Sequence, residues 1–250
     1  MYTNNASKIF IKKKFNQDFK KKFFVLTGYS SGIGNQIYKD LSKLGSNLIL
    51  IGRKKNKNQA FFECDLRDGK KLEKIAKIIS QKYNRIDGFI HCAGVNQCIK
   101  SDEISLLNWE EIFSINLTSA FIISKEIKKN LKKSKNPSII FVSSIAGHRK
   151  SVVSGAHYVA SKAGLIGLSK QLSHEFGKDR IRVNCVSPSQ TLTKMLKNSM
   201  SKSQISKLIK NIPISRLATA KEQSYGVIFL LSSFSKYISG TSLNIDGGQI

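Results

Sequence analysis

Short apolar runs alternate along this chain with longer stretches in which apolar residues recur every three or four positions. The runs at residues 23–26, 47–51, 60–64, 88–91, 138–142, 180–186 and 242–245 predict β-strands. Several are apolar throughout, as parallel strands are when helices cover both faces. Between them, residues 34–44, 72–82, 109–132, 159–176 and 222–231 carry helical spacing. This alternation predicts a single-domain, doubly wound α/β fold: a parallel sheet with helices on both faces. With 250 residues the chain is long enough for one large core, and no linker divides it. The domain is expected over residues 23–250, behind a basic N-terminal extension at 1–22.

Two places in this pattern carry chemistry. In Val25-Leu26-Thr27-Gly28-Tyr29-Ser30-Ser31-Gly32-Ile33-Gly34 a strand runs through a glycine-rich turn into a helix. Such a turn lets the backbone approach a pyrophosphate closely, with the free N–H groups of the helix start facing its charge. Taken alone, it is equally an ordinary strand-to-helix turn. Further on, Ser144 follows the strand at 138–142, and Tyr158 and Lys162 stand four apart on one helical face. That spacing also proves little alone: 7 tyrosines and 35 lysines yield about one Tyr-x-x-x-Lys by chance.

The ordered combination is more specific. With Asn116 in Phe113-Ser114-Ile115-Asn116-Leu117, Ser144 fourteen residues before Tyr158, and Asn244-Ile245-Asp246-Gly247-Gly248 at the end, the sequence resembles the short-chain dehydrogenase/reductase family. The family's TGxxxGxG turn is Thr27 to Gly34, and its NNAG appears as His91-Cys92-Ala93-Gly94. Pro213, Arg216 and Glu222 match the acyl-carrier-protein reductase-like members. The resemblance spans about residue 23 to 250 and implies a Rossmann-like oxidoreductase that interconverts a ketone and a secondary alcohol.

It also implies roles. Tyr158 passes a proton to or from the substrate oxygen, Ser144 hydrogen-bonds that oxygen, and Lys162 favours the phenolate and holds the nicotinamide ribose. Asn116 supports a water-linked proton path behind Lys162. Individually these residues read equally well as a packing Tyr, a solvated Lys, a strand-end Ser and a turn Asn. The expected cofactor contacts are Gly28, Ser30, Ser31, Gly32, Ile33 and Gly34 at the turn, Asp65 and Leu66 at the adenine, and Cys92, Ala93 and Gly94. Tyr158, Lys162, Pro188, Thr191 and Thr193 complete the set. An acidic residue after the second strand would bind the 2′-hydroxyl of NAD, but this chain reads Ile51-Gly52-Arg53-Lys54-Lys55. NADP(H) is therefore favoured over NAD(H), with Arg53 engaging the 2′-phosphate and Lys54 as helper.

Three departures from the family pattern matter. Eleven residues separate Arg53 from Asp65, so the helix usual between the second and third strands must be truncated or absent. His91 and Cys92 replace two asparagines, His91 as a structural polar partner and Cys92 still able to contact a cofactor through its backbone. Ser189 stands where a glycine is usual. Residues 191–211, with Leu192, Met195, Leu196, Met200, Ile205, Leu208 and Ile209 among lysines, read as a substrate lid or as a helix packed on the domain. His148 and His157 flank the expected pocket entrance and read as substrate contacts or as surface polar groups.

The net charge of +26, with 35 lysines among 42 basic residues, attracts anions of any kind. Without a nucleic-acid motif and with few arginines, it indicates no specific nucleic-acid partner. An acidic acyl carrier protein would suit the charge, so a 3-oxoacyl thioester is the leading substrate. NQCIKSDE after Gly94 does not closely match those reductases and leaves a sugar, a sugar-nucleotide or another small carbonyl open. A non-catalytic dinucleotide-binding sensor is the contrasting reading. The resemblance implies a homotetramer or dimer. Apolar runs are too short to span a bilayer and no signal-peptide core is visible, so a cytoplasmic, membrane-free protein is expected. Cys64, Cys92, Cys98 and Cys185 lack CxxC or metal spacing, so reduced thiols and no metal site are expected.

Overall fold

The computed structural model describes residues 15–193, 196 and 201–250. Met195 and Met200 of the expected lid and residues 1–14 of the expected extension lie outside them. The strands are β1 (Phe23–Thr27), β2 (Asn47–Gly52), β3 (Ala60–Glu63), β4 (Gly88–His91), β5 (Ser138–Val142), β6 (Arg182–Pro188) and β7 (Ser242–Ile245). Among the described residues they form one sheet in the order β3-β2-β1-β4-β5-β6-β7, with every pairing parallel. The helices are α1 (Gly32–Lys43), α2 (Gly69–Lys82), α3 (Leu106–Phe113), α4 (Ser119–Leu131), α5 (Ala156–Gly177), α6 (Lys202–Lys210) and α7 (Ala220–Leu231).

Apolar strands without alternation are explained by two cores. Side chains along a strand point to opposite faces in turn. Val25, Ile49, Ile51, Phe89, Ile139, Phe141 and Val183 meet α2, α4 and α5 on one face. Phe24, Leu26, Leu48, Leu50, Ile90, Ile140 and Val142 meet α1 and α7 on the other.

Packing begins before residue 23. Phe19 is fully buried in the second core, 6.0 Å from the Phe24 ring. Ser46 Oγ donates to its carbonyl at 3.0 Å, and the Asp18 carboxylate accepts from Ser233 N at 2.8 Å. Burying a phenylalanine is worth about 1.5–3 kcal/mol, so residues 15–22 are a docked part of the domain.

Caps and turns explain most boundary differences. Asp68 accepts from Lys71 N and starts α2 early, while capping boxes at Ser105/Asn108 and Thr219/Glu222 start α3 and α7. Arg180 takes a left-handed φ of 58° where α5 ends, which delays β6 to Arg182. The helix expected over 109–132 is two helices joined by a π-turn, Ser114–Thr118. Residues 53–59 form bends without a helix, as the short Arg53–Asp65 spacing requires.

Candidate active site

The glycine turn, Ser144, the loop after β4 and the segment after β6 all follow the C-terminal ends of strands, where open parallel sheets bind ligands. At the turn, Gly28 has φ +73°, and a Cβ there would sit 2.5 Å from Ala93 N and from the Cys92 carbonyl carbon. Only glycine permits this contact between the exits of β1 and β4. Ser31 is the N-cap of α1, yet its side chain makes no capping hydrogen bond and the first turn contains no acid. The turn therefore presents helix N–H groups with no competing carboxylate, which fits a pyrophosphate. Ser30 and Ser31 are exposed at the rim, Ile33 is half-buried and Gly34 is buried. Cys92 Sγ lies 3.3 Å from a Cβ built on Gly34, so this side chain packs beneath the turn and leaves its backbone to a ligand. Thr193 Cγ2 lies 3.4 Å from a Cβ built on Gly32, which places the segment after Pro188 beside the turn. Thr191 is bridged to Ala218, and its hydroxyl donates to Ser189 O at 2.9 Å. Ser189 needs no positive φ, so the missing glycine costs no strain.

Tyr158 and Lys162 share a face of α5, with Nζ 5.7 Å from the centre of the phenol ring. Lys162 is buried and donates to Val142 O, at the end of β5, at 2.8 Å. Burial lowers its pKa from the ordinary lysine value to about 8. Burial also pushes the Tyr158 phenol above its ordinary value, while a hydrogen bond with Ser144 acts in the opposite direction. Of these two effects on Tyr158, desolvation is the larger. Ser144 Oγ also accepts from Ala146 N at 3.1 Å, which fixes the serine at the start of a 3-10 turn.

Asn116 reaches the site because the π-turn rotates it inward. Its amide donates to Val95 O at 3.1 Å and Ser161 Oγ at 3.0 Å, and Oδ1 accepts from Val95 N at 2.9 Å. A Cβ on Gly94 would lie 3.2 Å from Lys162 Nζ and 3.5 Å from Asn116 Oδ1, so Gly94, Asn116 and Lys162 converge. His91 Nε2 lies 3.2 Å from Asn116 O, and Nδ1 lies 3.0 Å from Thr27 Oγ1. A carbonyl only accepts, so the proton is on Nε2, and Nδ1 accepts from Thr27. Thr27 Oγ1 in turn accepts from Ala93 N at 3.3 Å. This chain of bonds ties β1, β4 and the π-turn together in place of the two asparagines.

The end of the sheet at β2 and β3, where the adenine contact is expected, is more open. Arg53 is largely exposed, 4.0 Å from Asp65. Asp65 is gripped by Arg67, whose Nη2 lies 2.7 Å away, and these bonds hold its carboxyl below the ordinary aspartate range. Leu66 is buried in the first core, leaving only its main chain to a ligand. Sequence reasoning missed Arg67 and the contact of Tyr29 with the loop after β2. An aromatic residue inside the glycine turn was the available signal for the latter. His157 is fully buried, not a polar group at the surface, with Nε2 3.1 Å from Gln97 Oε1. His148 is exposed and bonds to Ser187 and Ser242 at 3.1 Å.

Among the described residues, no group of His, Cys, Asp and Glu could hold a metal ion, and no helix is long and apolar enough to cross a membrane. A family model described as enoyl-(acyl carrier protein) reductase matches residues 28–249. A short-chain type dehydrogenase/reductase of Sinorhizobium fredii is 31% identical over 75% of this chain and 74% of its own. A 3-oxoacyl-[acyl-carrier-protein] reductase of Buchnera aphidicola is 34% identical over 92% of this chain and 98% of its own. The solved structure of Thermoplasma acidophilum aldohexose dehydrogenase superposes with TM-score 0.85 at 26% identity, covering 93% of this chain and 95% of that one. Sequence likeness across nearly the whole length thus joins a dinucleotide-type turn and a Ser-Tyr-Lys cluster at the ends of one parallel sheet, and the chain belongs to the short-chain dehydrogenase/reductase family of NAD(P)-dependent oxidoreductases.

Proposed function

We propose that the protein reduces a 3-oxoacyl thioester, with NADPH as reductant and Tyr158 as proton donor. The observation that carries this reading is the Ser144-Tyr158-Lys162 cluster at the end of β5, in which Lys162 is buried and Ser144 and Tyr158 are half-buried. A bound nicotinamide supplies the hydride. Tyr158, kept protonated by burial, gives its proton to the carbonyl oxygen, and Ser144 holds that oxygen by a second hydrogen bond. The Lys162 ammonium and the Ser144 hydroxyl then steady the phenolate, which would be costly in a buried pocket without them. Gly94 leaves room beside Lys162 Nζ for the ribose that Lys162 would hold. Arg53 and Lys54 would take the 2′-phosphate.

The substrate rests on the likeness to 3-oxoacyl-[acyl-carrier-protein] reductases and on a charge of +26, which suits an acidic carrier. The structural likeness to an aldohexose dehydrogenase supports a sugar as the second reading. NADPH oxidation with an acetoacetyl thioester, run beside aldohexose oxidation with NADP⁺, separates the two. Tyr158→Phe should lower turnover by at least about 100-fold while cofactor affinity and melting temperature hold. Near-normal turnover would remove Tyr158 from the role of acid, and turnover confined to aldohexoses would replace the substrate but keep the site.

A further inference from the structure

The connection from β2 to β3 lacks a helix, so something else must fix the backbone that carries Arg53 and Lys54. Tyr29 does so from inside the glycine turn. The residue is 5% exposed and its ring lies against Gly52, where a Cβ would come within 3.2 Å of Cε1. Its hydroxyl donates to the carbonyl of Lys54. Its own carbonyl accepts from Asn35 Nδ2 at 3.1 Å, which anchors the tyrosine to α1. Among the described residues this is the hydrogen bond that reaches the main chain of Arg53, Lys54 or Lys55 from outside their loop. Among the described residues Arg53 itself has only the 4.0 Å approach to Asp65 and is 75% exposed, too weak a restraint to orient a guanidinium. Burial raises the Tyr29 pKa, so the phenol remains a donor at neutral pH.

We propose that Tyr29 is a positioning residue for cofactor selection: through Lys54 O it holds the Arg53-Lys54 backbone at a fixed distance from the glycine turn. One side chain then sets the spacing between the pyrophosphate cradle and the 2′-phosphate reader, resting on the reading that Arg53 and Lys54 receive that phosphate. A flexible loop would pay ordering entropy on binding NADPH, and the tether removes part of that cost beforehand. NADH has no 2′-phosphate for Arg53 and Lys54 to hold, so its affinity depends far less on the tether.

The test is Tyr29→Phe, which keeps the ring on Gly52 and deletes only the hydroxyl. Dissociation constants for NADPH and NADH are measured by calorimetric titration of the unmodified protein, Tyr29→Phe and Arg53→Asp, together with melting temperatures. The expected result is NADPH binding weakened by about tenfold in Tyr29→Phe, with NADH binding changed less than about twofold and melting unchanged. Equal weakening of both cofactors assigns Tyr29 to general packing of the turn and overturns the proposal, as does unchanged NADPH affinity. Arg53→Asp separates the two layers. If it leaves the NADPH-to-NADH ratio intact, the phosphate-reading role of Arg53 fails and the tether's role in selection fails with it. If it collapses the ratio while Tyr29→Phe does not, only the tether is wrong.

Discussion

His91 and the Ser144-Tyr158-Lys162 cluster show how differently single residues declare themselves. The cluster was legible because serine, tyrosine and lysine stood in order at the ends of predicted elements. The effect of burial on it was not, because desolvation depends on neighbours distant in sequence: Lys162 is depressed to about 8 by the core around it. His91 illustrates the same point. Its folded pKa is lowered to about 3 by burial, below the ordinary histidine value of about 6.5. Between those values the unfolded chain binds the extra proton, so stability falls as pH drops through the window. In His91→Asn the loss of stability between about pH 7 and about pH 5, read from urea unfolding, should shrink. The same variant should cost about 1–3 kcal/mol at neutral pH through the Thr27 and Asn116 bonds. An unchanged acid profile would mean that other groups dominate it.

At the scale of elements, the runs located all seven strands, most directly the five inner ones, because a buried parallel strand has no polar face to disguise it, whereas the edge strands β3 and β7 are partly exposed. Helix starts shifted where caps act. The Thr219/Glu222 box is the clearest, with Glu222 held at about 2 by Arg216 and the Thr219 bonds. Thr219→Ala should lower stability by about 0.5–2 kcal/mol in thermal unfolding, because Glu222 N loses its acceptor. No measurable change would show that the end of α7 is held by tertiary contacts alone. The π-turn at Ser114–Thr118 was invisible in the sequence. One extra residue in a turn leaves the apolar spacing almost intact, although it decides whether Asn116 faces the site.

For the whole molecule, charge is the dominant sequence-level quantity. At +26 it should strengthen NADPH binding and weaken with salt, since the Debye length falls from about 10 Å at 0.1 M to about 3 Å at 1 M. The NADPH dissociation constant should rise several-fold over that range and the NADH constant less, as titrations at the two salt levels would reveal. Equal salt effects would place the extra phosphate outside the reach of Arg53 and Lys54. The sequence by itself determined the parallel α/β architecture, that the usual helix between β2 and β3 is truncated or absent, and the identity of the chemical groups, because period, length and residue type are local properties. Tertiary structure alone decided that Phe19 belongs to the core, that His91 replaces an asparagine by bridging β1 to the π-turn, and that Tyr29 reaches Lys54. Each of these depends on which side chains meet across the sheet ends, and contact between distant segments leaves no periodic mark on a single chain.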